Sequence, residues 1–160
     1  MSPGIDVTVA AIIERDGRFL FVEERASGTL VLNQPAGHLE HGESLLTAVV
    51  RETLEETGHR FAPSDIVGFY LWRNEEAATT YLRVAFCGAA EPPAQAVLLD
   101  EGIVAVHWLS RAQILSRGRH LRSPMVLRCL DDYLAGRRYA LDCLTYLDIE
   151  ALAQGKTAHA

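Results

Sequence analysis

The stretch from Gly37 to Gly58 restricts what this chain can become more than any other. It reads Gly37-His-Leu-Glu-His-Gly-Glu43, followed by a helical pattern from Ser44 to Thr57 that carries Arg51-Glu52-Thr53-Leu54-Glu55-Glu56. Ser44 is placed to cap the helix N-terminus, and Gly58 to stop the helix in the left-handed conformation that glycine adopts freely. A helix turns ~100° per residue, so Glu52, Glu55 and Glu56 fall within an arc of roughly 100°. Leu46, Val50 and Leu54 lie on the opposite side, with Thr53 and Thr57 beside them. The expectation is a helix that buries one face and presents three carboxylates together on the other. Carboxylates at such spacings repel and weaken a bare helix. A hard divalent cation, Mg2+ or Mn2+, reverses that sign because clustered oxygens are what it selects. A solvated acidic face with Arg51 as a surface charge accounts for the glutamates alone. It does not account for Gly37, Gly42 and Glu43 standing at these separations before them.

Around this segment the chain alternates apolar runs with turn signals. Val7 to Ile13 reads as a buried strand, Arg15 to Arg18 as a turn, and Phe19 to Glu23 as its hairpin partner. A loop around Ser27-Gly28 leads to a short apolar piece, Leu30 to Leu32, and then to a Pro/Gly-punctuated loop, Asn33 to His38. Beyond the helix, Ile66 to Trp72 and Tyr81 to Cys87 are strands flanking a polar loop from Arg73 to Thr79. Gly88 to Ala94 reads as a loop, and Ile103 to Leu109 as a strand followed by a short helix after Ser110. Ser123-Pro124 opens a further helix that Gly136 closes, and the tail over 152–160 is expected to fray. Strands come first, then one helix, then more strands and two helices. This order favours an α+β fold, a mixed-sheet α/β/α sandwich, over regular βαβ alternation. The 160 residues fit a single domain, with its core over about 6–144.

Bulk properties remove several function classes. The net charge of −6 argues against a nucleic-acid binder, which needs a basic stripe. No apolar run approaches the ~20 residues that span a bilayer. The start, Met1-Ser-Pro-Gly-Ile-Asp6, lacks the basic and long apolar regions of a secretory signal, so a cytoplasmic location is expected. Cys87, Cys129 and Cys143 form no ligand pattern and are expected to be buried apolar residues in a reducing compartment. An acidic chain that handles a polyphosphate needs a local device to cancel charge, and a divalent metal is the obvious one.

The full spacing resembles the Nudix box: Gly, five residues, Glu, seven residues, then Arg-Glu-apolar-x-Glu-Glu-x-Gly-apolar. Gly37, Glu43, Arg51, Glu52, Glu55, Glu56 and Gly58 match with both gaps intact, while Thr53 and His59 stand in the two apolar slots. The resemblance implies the Nudix fold and a metal-dependent enzyme that cleaves phosphoanhydrides, with Mg2+ (or Mn2+) as cofactor. It implies that Glu52, Glu55 and Glu56 hold the metal or activate water through it, with the backbone carbonyl of Ala36 as a further ligand. Arg51 and Glu43 look like a pair that braces the loop against the helix. Many members recruit an acid from outside the box, and Asp100 and Glu101 are the candidates here. Further similarity, in Val7 to Ala10, Asn33 to Glu40, Leu82-Arg83, His107-Trp108, Leu121 to Pro124 and Gly136 to Tyr139, is to a bacterial Nudix type. That type removes terminal phosphate from nucleoside tri- and diphosphates and from thiamine-pathway pyrimidine pyrophosphate, which implies release of orthophosphate.

For substrate binding outside the box, Arg83 on a strand and Arg122 at a helix opening are candidates for holding phosphate, the alternative for both being surface ion pairs. Trp72 and Tyr70 are candidates for stacking on a base or pyrimidine ring, and Gln34 for touching substrate. His38 and His41 flank the loop but match no zinc spacing. The partner implied is a small nucleotide or pyrimidine diphosphate, with no nucleic acid and no membrane, acted on by a monomer or homodimer. Two other readings stay open. One is a Nudix pyrophosphatase for ADP-ribose, dinucleotides or oxidised nucleoside triphosphates. The other is a non-catalytic Nudix sensor that binds a nucleotide, although such sensors commonly lose box glutamates that are all present here.

Overall fold

The computed structural model describes residues 4–147. In chain order these form β1 (Ile5–Ile12), β2 (Glu14–Arg15), β3 (Arg18–Ala26), β4 (Thr29–Asn33), β5 (Ala36–His38), α1 (Leu45–Thr57), β6 (Arg60–Asn74), β7 (Thr79–Glu91), β8 (Ile103–Ser110), α2 (Arg111–Ser116), α3 (Met125–Leu134) and β9 (Tyr139–Ala140). The expected fraying over 152–160 lies outside the described residues. Among the described residues the strands make two sheets. One has the order β5-β1-β7-β6-β9, with β1 and β7 parallel; in the other β3 lies between β4 and β8, with β2 paired to the start of β3. One core gathers Ile12, Phe19, Phe21, Val67 and Ala85 under α2 and α3. The other gathers Val9, Ala11, Leu20, Ile66 and Phe86 under α1. Helices therefore cover both faces of mixed sheets, the expected α+β class.

Strand pairing departs from the expectation in one important place. The turn through Asp16 and Gly17, both at positive φ, joins only Glu14–Arg15 to Arg18–Phe19. Beyond it, β1 and β3 part into different sheets. Both edges of β1 are already occupied, by β5 and β7, and its second half is buried without interruption, as suits a central strand. The presumed loop Asn33 to His38 also contains regular structure: Thr8, Val9 and Ala10 pair with His38, Gly37 and Ala36. Pro35 has no N–H to give, but its carbonyl accepts from the Ala11 amide at 2.9 Å. Likewise β7 runs on through Gly88 to Glu91, where the sequence suggested a loop, because small residues let β6 approach closely. A side chain at Gly88 would strike the Ala62 carbonyl.

The helices show what their caps dictate and one surprise. Ser44 accepts from the Thr47 amide at 3.1 Å, and Gly58 stops α1 at φ 71°. The buried face of α1, however, is Ala48, Val49, Thr53 and Thr57 together with Glu52 and Glu56, while Leu54 is 46% exposed. The helix is rolled toward its carboxylates. Threonines tolerate the core here because Thr53 and Thr57 each donate to the carbonyl four residues back, at 2.7 and 2.6 Å. Ser110 and Gln113 form a reciprocal capping box on α2. Ser123 does not cap α3 as expected: Pro124 is the N-cap residue, and the Ser123 hydroxyl is buried without a partner. Cys87 and Cys129 are buried as expected, whereas Cys143 is exposed.

Candidate active site

The centre of the box is Arg51, not an array of parallel carboxylates. Its Nη2 and Nε donate to the two Glu43 oxygens at 2.7 and 3.1 Å, and Nη2 also donates to the His38 carbonyl at 3.1 Å. Nη1 donates to Glu52 at 2.9 Å and to Glu55 at 3.0 Å. Glu43 in turn accepts from the Glu40 amide at 2.8 Å. The guanidinium thus ties the loop to the helix through a forked pair, and this pairing holds the Glu43 carboxyl below its ordinary pKa. The Arg51 pKa is raised in return, chiefly by Glu43.

The three glutamates do not stand side by side as the helix period suggested. Repulsion among them is relieved in two ways: Arg51 takes Glu52 and Glu55, and Glu56 turns inward. Glu56 is 6% exposed and accepts from the Ala36 amide at 2.9 Å. Burial, reinforced by the charges of Glu24, Glu52 and Asp100, pushes its pKa up to about 9. Burial also raises Glu52, against the opposing pull of Arg51. The Glu52 carboxylate lies against Gly37, where any Cβ would collide with it. Among the described residues no three His, Cys, Asp or Glu side chains converge as they stand to hold a metal.

Glu52 and Glu56 nevertheless share a wall with Ala36 and Gly37, and that wall opens on a cavity of about 370 Å3. Its other lining residues include Thr8, Glu24, Asn33, Trp72, Tyr81, Arg83, Arg122 and Ser123. The lining therefore combines acids, Glu24, Glu52 and Glu56, with donors, Asn33, Arg83 and Arg122. Trp72 stacks on Tyr81 with ring centroids 5.7 Å apart and makes an apolar flank. Arg83 is 4% exposed; its Nη atoms donate to Gln34 and Asn33 at 3.3 and 3.5 Å, and its Nε has no partner. Arg122 is more open and lies 3.5 Å from Glu24.

Of the other candidates only His38 reaches this cavity. Gln34 is 1% exposed, gives its amide to the Val126 carbonyl at 2.7 Å and does not line the cavity. Tyr70 donates to Asp132 at 3.0 Å beside a second hollow. The amide of Asp100 donates to the Glu55 carbonyl at 3.0 Å, and its charge is felt by both Glu52 and Glu56; Glu101 is exposed. His38 lines the cavity but faces Asp6 at 3.8 Å, and His41 is exposed. Glu24, Asn33, Thr8, Tyr81 and Ser123 were not singled out from sequence. Thr8, Asn33 and Ser123 lie within the segments of wider family similarity, and Glu24 belongs to a charged pair that ends the buried run Phe19–Val22.

The chain is similar to known proteins over most of its length. The NUDIX domain family matches residues 3–129. Phosphatase NudJ of Escherichia coli K12 is 37% identical over 138 residues, covering 86% of this chain and 89% of that protein. A solved NUDIX hydrolase from Nitrosomonas europaea is 48% identical, superposes with a TM-score of 0.89, and is matched over 91% of this chain and 99% of that one. The E. coli ORF135 protein, solved in solution, is 27% identical with a TM-score of 0.67, over 85% and 93% of the two chains.

Proposed function

Because the chain belongs to the Nudix hydrolase family, we propose that it is a Mg2+-dependent phosphohydrolase. Its substrates are nucleoside di- or triphosphates or a pyrimidine pyrophosphate, and it releases orthophosphate. One observation carries the reading: Glu52 and Glu56 form one wall of a cavity whose other walls bring Arg83, Arg122 and the Trp72–Tyr81 stack. A diphosphate ester has the same three parts, namely a reacting phosphoryl group, a second anionic phosphate and an organic ring. The similarity to a protein named as a phosphatase supports orthophosphate release over the pyrophosphate alternative.

The donor set suits a hard divalent ion. Glu52, Glu55, Glu56 and the Ala36 backbone offer oxygen only, and burial, reinforced by the neighbouring acids, keeps Glu56 protonated in the bare protein. Such an ion supplies positive charge to the phosphoryl oxygens and lowers the pKa of water. The chain's own groups do the rest. Arg51 and Glu43 fix the loop, so that Gly37 and Ala36 keep their places against Glu52 and Glu56. Once ionised, Glu56 has a carboxylate oxygen able to take a proton from attacking water. Arg122 and Arg83 meet phosphate oxygens as the substrate enters, and Trp72 gives the ring an apolar surface. Cytoplasmic action on a small-molecule substrate, by a single domain, completes the proposal.

A product assay on a panel of phosphoanhydrides with Mg2+ tests it. The panel comprises nucleoside di- and triphosphates, pyrimidine pyrophosphate and ADP-ribose. Orthophosphate from both di- and triphosphates is the expected result. Pyrophosphate as product, or cleavage of ADP-ribose alone, overturns the phosphatase assignment; no product from any compound points to a sensor.

A further inference from the structure

Four buried side-chain polar atoms among the described residues lack a hydrogen-bond partner, and three of them belong to residues that line the one cavity: Thr8 Oγ1, Arg83 Nε and Ser123 Oγ. Their residues are 7%, 4% and 7% exposed, so none of these groups is simply a surface donor left to water. Folded proteins pair nearly all such atoms, and each exception calls for an explanation. Three exceptions in one cavity call for a shared one.

Distant parts of the chain build this cluster. Thr8 on β1 and Arg83 on β7 are register partners in the parallel pair, which sets their backbones about 4.8 Å apart. Ser123 arrives from the segment before α3, which is held in place by the Arg122 amide donating to the Leu32 carbonyl at 2.9 Å. Arg83 is the telling member. A buried guanidinium is normally matched by a carboxylate, but among the described residues none forms an ion pair with Arg83. Its side-chain oxygen acceptors are the neutral groups of Gln34 and Asn33, and the buried Cys129 thiol lies beside it. Glu24, the acid whose charge reaches it, is already engaged by Asn33 Nδ2 at 3.2 Å and by Arg122 at 3.5 Å. This bracing holds the guanidinium still without pairing it to a carboxylate. Burial accordingly pulls the Arg83 pKa down. An anion with several acceptor oxygens is able to take a guanidinium N–H and two hydroxyl hydrogens together.

We propose that Thr8, Arg83 and Ser123 form an oxyanion subsite that holds one phosphate group of the substrate, apart from the carboxylate end of the cavity and without help from a cation. The inference deepens the phosphohydrolase reading and rests on it for the identity of the anion. Thr8 and Ser123 are then positioning residues for the phosphate, and Arg83 supplies the charge.

Titration of inorganic phosphate into metal-free protein by calorimetry, with EDTA present, tests the subsite directly. The variants are Arg83→Gln, Ser123→Ala and Thr8→Val. Wild type is expected to bind. Losing a charge-assisted contact should weaken R83Q by about tenfold or more, and S123A and T8V should each bind several-fold more weakly. Binding that needs Mg2+, or an affinity unchanged in R83Q, overturns the proposal. Should R83Q not fold, the S123A/T8V double variant decides, since wild-type affinity there overturns the proposal equally. Turnover is read separately: a protein that binds phosphate but hydrolyses nothing keeps the subsite and loses the phosphohydrolase reading, and the converse result removes only the subsite.

Discussion

Glu56 accepts one backbone amide, is almost fully enclosed, and has Glu24, Glu52 and Asp100 around it, so it keeps its proton to about pH 9. A carboxyl whose folded pKa lies above its unfolded one adds stability that is complete below the unfolded value and is lost as pH rises through the folded value. The metal-free protein is therefore expected to lose melting temperature between about pH 5 and 9 on account of this group. Glu56→Gln, which resembles the protonated form, should flatten that decline, and melting curves in EDTA across the range check it; parallel profiles for the two proteins would contradict it. The same substitution should lower turnover with Mg2+ by at least about 100-fold while leaving the circular dichroism spectrum unchanged. Glu43 behaves oppositely. Its depressed pKa means that the brace to Arg51 is complete above the unfolded value and weakens as pH falls through the folded one. The identities and spacing of these residues were readable from sequence because a helical period of 3.6 fixes which ones neighbour each other. The Arg51–Glu43 pairing followed from the family resemblance, but the partner of Glu56 did not. Whether a glutamate turns to Arg51 or to the Ala36 amide depends on a strand that sequence periodicity did not reveal.

At the scale of elements, α1 and β5 act as one unit. Gly37 has no side chain because the Glu52 carboxylate fills that space, and Arg51 fastens both to the loop between them. Gly37→Ala should push the Glu52 carboxylate aside rather than unfold the protein, since what it meets is the end of a flexible side chain. The expected outcome is a cooperative melt close to wild type with turnover reduced at least about 100-fold, by loss of an oriented carboxylate. Near-normal turnover would show that the contact is dispensable. The ends of α1 were legible through Ser44 and Gly58, but its roll was not. Apolar Leu54 lies outward and two glutamates inward, because the site, and not the hydrophobic stripe, decides which face meets β5. The Ser123-Pro124 opening was misread for a related reason: the hydroxyl is spent on the cavity and not on the helix.

Across the whole molecule, the class of fold followed from the order of strands and helices, whereas the sheet partners did not. Both β1 and β3 contain a buried apolar stretch, and nothing local says that one joins β7 and the other β8. The far wall of the cavity depends on those long-range pairings, so Thr8, Arg83 and Ser123 meet only once the chain is folded. One global consequence concerns the cation. If Mg2+ binding has to displace the Glu56 proton, the ion should raise the melting temperature more at pH 9 than at pH 6, and binding below pH 9 should release a proton. Calorimetry in buffers of different ionisation enthalpy measures that release, and a heat independent of buffer would argue against Glu56 as a ligand. Running the Mg2+-dependent hydrolysis of an organic diphosphate in 18O-labelled water shows which phosphorus the water attacks. Attack on the terminal phosphorus, expected for a phosphatase, puts the label in orthophosphate and not in the organic monophosphate. Label in the organic monophosphate would place the attack on the inner phosphorus and contradict it.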